Sequence, residues 1–199
     1  MMNKVLCSLL LFLSISCGLQ GRNANYARDG KRIWLDSKEI HHGEYVWKMK
    51  KAGDVTSSAE EVSTLGDDTS DWLSAIVPGT VLNSLVYNKE YPEPYYGVNN
   101  KLESGKIPDI SKVGREFYTY WFRTEFDVPE SFAGKTIWLQ PDGVNYRAEI
   151  WVNGNLLSTL NGMFISDYIN VTDFVKVGRK NILAVKVYPV DVPGTTMPK

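Results

Sequence analysis

Between residues 117 and 188 apolar and polar side chains alternate in short stretches that stop at Gly, Pro or Asn. A period of two puts successive side chains on opposite faces of an extended strand, so this half of the chain reads as strands with one face in a core. In the stretch GVNYRAEIWVNG, Val144, Tyr146, Ala148, Ile150 and Val152 share the inner face, while Asn145, Arg147, Glu149, Trp151 and Asn153 share the outer one. The Asn153-Gly154 pair that follows supplies the two left-handed positions of a type I′ turn, so residues 155–159 should return antiparallel. Residues 117–127 form another such strand, with Tyr118, Tyr120, Phe122 and Phe126 inward and Thr119, Trp121, Arg123, Glu125 and Asp127 outward. Residues 135–140 predict a short strand, Pro141-Asp142-Gly143 a turn, residues 164–171 an extended segment and residues 181–188 a last strand.

The first half is more broken. Residues 32–35 and 45–49 are strand-like runs separated by Gly43, and residues 50–70 turn to Gly, Asp, Ser, Thr and Glu and read as a long surface excursion. Residues 80–87 predict one short helix capped by Thr80. Residues 90–115 predict a long loop, unusual enough in a compact domain to suggest function, and its start, YPEPYYGVNN, carries three tyrosines. Many short antiparallel strands, Gly and Asn turns and almost no helix specify an all-β sandwich without internal repeats.

Composition excludes several functions. At 199 residues and 43% hydrophobic the chain can bury one main core, and a formal net charge of −1 gives no field to attract nucleic acid. The start, MMNKVLCSLLLFLSISCG, has one Lys, an apolar run over residues 5–15 too short to span a bilayer, and then small residues. Residues 1–21 therefore read as an export signal, and Ser14-Ile15-Ser16-Cys17 looks like a lipobox that would make Cys17 a lipidated first residue. Plain cleavage near Gly18 or Gly21 is the alternative; either places the protein outside the cytoplasm, in a bacterial periplasm or lipid-anchored at the outer membrane. Cys7 and Cys17 both lie in this segment, so the exported domain has no disulfide, thiol nucleophile or Cys metal site, and His41-His42 is a poor basis for a triad or a metal centre. No cofactor is implied.

Five stretches, in order, resemble one family. They are Trp72-Leu73-Ser74-Ala75-Ile76-Val77-Pro78-Gly79-Thr80-Val81, Tyr95-Tyr96-Gly97-Val98-Asn99, Tyr120-Trp121-Phe122-Arg123-Thr124-Glu125-Phe126, residues 142–154 and residues 181–187. Together they resemble the N-terminal sugar-binding domain of glycoside hydrolase family 2, closest to its β-mannosidase and exo-β-glucosaminidase branch. The resemblance implies a galactose-binding-domain-like jelly roll over residues 22–190, with residues 191–199 opening a linker. An immunoglobulin-like domain and a (β/α)8 barrel would follow, and the barrel would hold two glutamates that cleave terminal β-linked sugars with retention. That chemistry needs paired carboxylates about 5–5.5 Å apart, one of them in an Asn-Glu dipeptide of the family. Neither Asn-Glu nor the Trp-Asp-Trp-Gly-Pro segment of the mannosidase branch occurs in these 199 residues. The resemblance thus implies the non-catalytic part of an exported glycosidase, whose partners are a carbohydrate and the missing domains. A stand-alone carbohydrate-binding surface lipoprotein and a decayed gene fragment remain open as alternatives.

The candidate sugar contacts are Asn99, Asn100, Tyr95 and Tyr96, because an amide grips hydroxyls and an aromatic ring covers the C–H face of a sugar. The competing reading is that the tyrosines pack the loop down and the asparagines turn it. Trp121 and Trp151, on the outer faces of their strands, suggest either an exposed platform or side chains covered by a neighbouring loop or domain; covering is the expectation. Asp142 and Asp191 are expected to form turns, and Arg147 and Glu149 to make cross-strand charge pairs. Asn170-Val171-Thr172 fits the N-glycosylation pattern, which the bacterial-looking signal argues against.

Overall fold

The computed structural model describes residues 12–18, 32–40, 43–163 and 165–190. Its strands are β1 (Phe12–Gly18), β2 (Arg32–Trp34), β3 (Trp47–Lys51), β4 (Leu73–Ser74), β5 (Tyr120–Asp127), β6 (Thr136–Gly143), β7 (Arg147–Val152), β8 (Asn155–Asn161), β9 (Ile169–Asn170) and β10 (Lys180–Tyr188). They pair into two antiparallel sheets, one in the order β2-β1-β6-β9 and one in the order β4-β3-β5-β10-β7-β8. The chain is an all-β sandwich, as its alternation requires. Ile137, Leu139 and Ile169 of the smaller sheet and Met49, Phe122, Phe126, Ile150, Val152, Val185 and Val187 of the larger one form a single buried core.

The hairpin at Asn153-Gly154 has the expected left-handed backbone, with φ of 48° and 84°. Asn153 does more than turn the chain. Its Nδ2 donates to the Phe174 carbonyl (2.7 Å) and to Asn181 Oδ1 (2.8 Å), and its Oδ1 accepts from the Ile182 backbone N–H (2.9 Å). The turn therefore locks the start of β10. The expected helix is present as α2 (Val81–Tyr87), with Thr80 Oγ1 accepting from the Asn83 N–H at 2.8 Å.

Four local expectations change. Pro141-Asp142-Gly143 is the end of β6 rather than a turn; this stretch pairs with β1, and β9 covers only Trp138 and Leu139 on the other edge, so the proline's missing N–H is not needed there. The strand expected from residue 117 begins at Tyr120, because residues 116–118 form a 3-10 turn closed by the Thr119 N–H on the Glu116 carbonyl (3.3 Å). Of the extended segment at 164–171 only β9 is strand, and Phe164 lies outside the described residues. Residues 50–70 do not stand off the surface. They carry α1 (Ala59–Val62), closed by a capping box between Ser58 and Glu61, and fold onto the outer face of the larger sheet.

β1 falls inside the segment expected to be an export signal. It runs between β2 and β6, with Ile15 opposite both Ile33 and Leu139. His41, His42 and Asp191 lie outside the described residues.

Candidate functional site

The alternation of β5, β7 and β10 puts one set of side chains in the core and the other on the outer face of the larger sheet. On that outer face Trp121 and Trp151 are 3% and 8% exposed, packed with Val62, Trp72 and Ala184 beneath the 52–72 segment. The cover is fastened by Arg123, whose Nε donates to the Val62 carbonyl (2.9 Å) and whose guanidinium Nη2 donates to the Thr64 carbonyl (3.0 Å). Burial pushes the Arg123 pKa down, offset in part by Glu125 and Asp67. A loop covers these tryptophans, as expected, and they present no platform.

The loop that begins at Tyr91 behaves differently. Tyr91 packs against the core, beside Tyr118 and Tyr120, whose hydroxyls are pushed up to about 12 by burial first and by the neighbouring tyrosines second. Tyr118 donates to the Pro108 carbonyl at 3.2 Å, tying the far end of the loop to the same base. Tyr95 and Tyr96 point away from the core and are 85% and 78% exposed. The two readings of the tyrosines thus divide between them: one packs the loop down and two are available at its tip.

Asn99 is 6% exposed and its amide is engaged at both ends. Its Nδ2 donates to the Glu93 carbonyl (2.9 Å) and its Oδ1 accepts from the Lys106 ammonium (3.0 Å), while its carbonyl accepts from the Ser104 hydroxyl (3.2 Å). Gly97 takes φ of 59° between Tyr96 and Val98, a conformation that suits glycine and lets the Asn99 N–H reach the Tyr96 carbonyl at 3.2 Å. Asn99 is therefore the clamp that fixes the loop, and Asn100 is exposed beside it. Of the four candidate residues, Tyr95, Tyr96 and Asn100 face solvent together and Asn99 holds them in place.

A second group lies at the same end of the larger sheet and was missed in the sequence. The Tyr188 hydroxyl donates to Glu149 Oε1 (2.6 Å), and the Arg147 and Arg115 guanidinium groups and the Lys186 ammonium lie 4.5, 5.6 and 5.4 Å from the Tyr188 ring centre. Burial and the hydrogen bond to Glu149 push the Tyr188 hydroxyl up. Arg147 and Glu149 both reach across to Tyr188 on β10, Arg147 over its ring and Glu149 at its hydroxyl, with Glu149 opposite Lys186 in the register; the contacts seen run to a tyrosine rather than forming the expected charge pairs. The alternation of residues 180–188 shows that Lys186 and Tyr188 share a face; only the register of β10 on β7 shows whose face it is. Arg115 connects this group to the loop region, because its carbonyl accepts from the Thr119 hydroxyl at the head of β5 (3.1 Å). Asp142 is not isolated in a turn; it accepts from Gln140 Nε2 at 2.7 Å.

Fold and loop define a class: an antiparallel sandwich domain that presents aromatic and amide groups from the loops at one end. The model of the glycosyl hydrolase 2 galactose-binding domain-like family matches residues 47–194, and the chain belongs to that family. It is 41% identical over 128 residues to a mannosylglycoprotein endo-beta-mannosidase of Lilium longiflorum, covering 64% of this chain and 13% of that protein. It is 30% identical over 138 residues to an exo-beta-D-glucosaminidase of Amycolatopsis orientalis, covering 68% of this chain and 12% of that one. In the crystal structure of the Amycolatopsis orientalis exo-chitosanase the matching region has 28% identity and a TM-score of 0.61, over 74% of this chain and 16% of the other. The chain spans roughly an eighth of the curated relatives, so it corresponds to the N-terminal domain of such glycosidases and not to their whole length.

Proposed function

We propose that the chain is the sugar-positioning domain of an exported, retaining β-glycosidase, and that Tyr95, Tyr96 and Asn100 form part of the rim of its sugar pocket. The observation that carries this reading is the exposed tyrosine pair on a loop clamped by the buried Asn99. Two unpartnered aromatic rings on a fixed backbone offer apolar faces to a sugar at little entropic cost, which a mobile loop would not. The position supports it too. The loop is anchored on Tyr118 and Tyr120 at the end of the sheet where β10 finishes, so whatever follows β10 starts beside it.

The 41% identity to the lily enzyme, against 30% to the glucosaminidase, favours a β-mannosyl linkage as the one handled by the whole protein. The expectation of terminal cleavage is carried by the exo-acting relatives, whereas the lily relative is endo-acting by name, so both modes belong in the test. Hydrolysis belongs to two carboxylates on a barrel that would follow the sandwich; the 199-residue chain binds without turnover.

The decisive experiment titrates the chain with a β-mannosyl oligosaccharide while recording tyrosine side-chain resonances, and assays it on p-nitrophenyl β-mannoside and p-nitrophenyl β-glucosaminide. Shifts confined to Tyr95 and Tyr96 with no release of nitrophenol support the reading. Turnover by this chain at enzymatic rates, or shifts elsewhere only, would overturn it. Applied to a product extended past Lys199, a glycan with an internal β-mannosyl bond separates endo from exo action, and the anomer first released reports retention.

A further inference from the structure

The outer face of the larger sheet uses its cations in two ways. Lys50 pairs with Asp71 at 2.6 Å and Lys180 with Glu125 at 3.0 Å, while Lys48 reaches the Thr69 and Trp72 carbonyls, both at 3.4 Å, and Arg123 those of Val62 and Thr64. Each of these four charges has an oxygen to answer it. Arg147 on β7 and Lys186 on β10 are different: among the described residues their side chains make neither a hydrogen bond nor an ion pair, and they lie only against rings. Arg147 is 4.5 Å from the Tyr188 ring centre, and Lys186 is 5.4 and 5.5 Å from the centres of Tyr188 and Trp121.

The carboxylate that could answer them is committed elsewhere. Glu149 stands opposite Lys186 in the register, yet its Oε1 accepts from the Tyr188 hydroxyl (2.6 Å) and its Oε2 from the Trp151 indole N–H (3.4 Å). Two neutral donors thus hold the one anion of the group away from its two cations. Contact with a ring fills none of the N–H donors of a guanidinium or an ammonium, so the pair keeps both its net positive charge and its hydrogen-bonding capacity. On a face where the other cations are matched, that is a place for an anion from outside.

The side chains next to the cations narrow the kind of anion. The register puts Arg147 opposite Asn161 and Glu149 opposite Thr159, both on the edge strand β8. Asn161 and Thr159 are exposed, and among the described residues neither side chain makes a hydrogen bond. An amide and a hydroxyl one strand spacing from the charged pair, about 4.8 Å, suit the hydroxyls of a sugar that carries an acid group. A bare ion or an acidic side chain would leave them idle. The group also stands where Val187 pairs with Tyr120 at the head of β5, the end of the sheet on which the 91–105 loop is anchored.

We propose that Arg147 and Lys186 form a subsite for the acid group of a charged sugar, a carboxylate or a sulfate ester, with Asn161 and Thr159 gripping hydroxyls of the same unit. The guanidinium fork of Arg147 takes two oxygens of either group, and Lys186 adds a point charge beside them. The inference rests on the sugar-positioning reading above and narrows its ligand to an acidic glycan.

The test is calorimetric titration of the 199-residue chain at low salt with β-mannobiose, its 6-sulfate, the disaccharide of β-mannuronate, and sodium sulfate. At least one acidic disaccharide should bind about tenfold more tightly than β-mannobiose, and the tighter of the two tells sulfate from carboxylate. Arg147→Gln and Lys186→Gln should each erase most of that preference while leaving the affinity for β-mannobiose and the thermal midpoint in place, and Arg147→Lys should keep part of it. Equal binding of the three disaccharides overturns the subsite, as does a preference that survives the double variant. Sodium sulfate binding as tightly as the sulfated disaccharide overturns the sugar assignment. So does a preference that disappears in a product extended past Lys199, since a carboxylate of the protein would then take the place. Should the variants fail to fold, the side-chain N–H resonances of Arg147 and Lys186 in the unaltered chain decide: shifts with an acidic disaccharide but not with β-mannobiose support the subsite, and their absence overturns it. Shifts at Arg147 and Lys186 without shifts at Tyr95 and Tyr96 would defeat the proposed rim and leave the subsite standing, and the reverse pattern would defeat the subsite alone.

Discussion

Two irregular segments of this domain look alike in sequence and behave in opposite ways. Residues 52–72, rich in Asp, Ser and Thr, and residues 91–105, rich in Pro, Gly and Asn, are both mostly polar with isolated apolar side chains, and both contain aromatic residues. The first lies flat on the larger sheet, sinks Trp72 against Trp121 and Trp151, and hands the Val62 and Thr64 carbonyls to the buried Arg123. The second holds itself by its own amide, Asn99, and leaves Tyr95 and Tyr96 in solvent. The first segment gains its shape from the sheet, and the second is built to keep its shape while showing its aromatic groups. That difference separates a structural cover from a binding loop better than composition does.

The largest blow to this contrast is Trp72→Ala. Removing a buried indole costs about 3–5 kcal/mol. We expect the denaturation midpoint to fall accordingly and tryptophan emission to shift red as Trp121 and Trp151 become wet, while protease cutting within 91–105 stays at its original rate. Faster cutting there would mean that the two segments are coupled and that the contrast is false. Arg123→Met follows, at about 2–3 kcal/mol, because two backbone carbonyls lose charged donors in a site where water does not replace them. For a chain of this size that is roughly 5–10 °C in the thermal midpoint. A Lys at position 123 should recover little of it, since one ammonium cannot present the two separate donors of the guanidinium.

The alternation and the Asn-Gly turn made most of the sandwich legible. β5, β7, β8 and β10 sit within a few residues of where the period of two puts them, and the Thr80 cap locates α2. That Trp121 and Trp151 would be covered was legible, but which segment covers them was not, because Val62 and Trp72 are isolated apolar residues in a polar stretch and their partners are long-range. Asn99 stood out by its place in a family motif, but whether an asparagine faces a ligand or its own loop depends on what lies six or seven residues away, here the Glu93 carbonyl and the Lys106 ammonium. The Tyr188 group needed the register of β10 on β7, which no single strand encodes.

Asn99→Ala sharpens the same comparison from the other side. It frees the Glu93 carbonyl and the Lys106 ammonium and costs about 1–2 kcal/mol, felt as local opening rather than global unfolding. Proteolysis within 91–105 should accelerate several-fold with tryptophan emission unchanged. Asn99→Asp should restore part of the protection, because a carboxylate still accepts from Lys106 but no longer donates to the Glu93 carbonyl.

The smallest structural effect belongs to the pair that the proposed function needs most. Tyr95→Ala with Tyr96→Ala removes two rings that touch little of the protein, so stability should stay within about 0.5 kcal/mol of the parent. If the rings meet a sugar, the affinity of the domain for a β-mannosyl oligosaccharide should fall about tenfold or more, as the loss of two stacking faces predicts. Calorimetric titration separates the outcomes. Unchanged affinity at unchanged stability would reduce Tyr95 and Tyr96 to surface groups and move the search to the neighbouring Tyr188 group. A loss of stability instead would show that the rings pack after all, and the distinction between a cover and a presenting loop would no longer hold at the residue level.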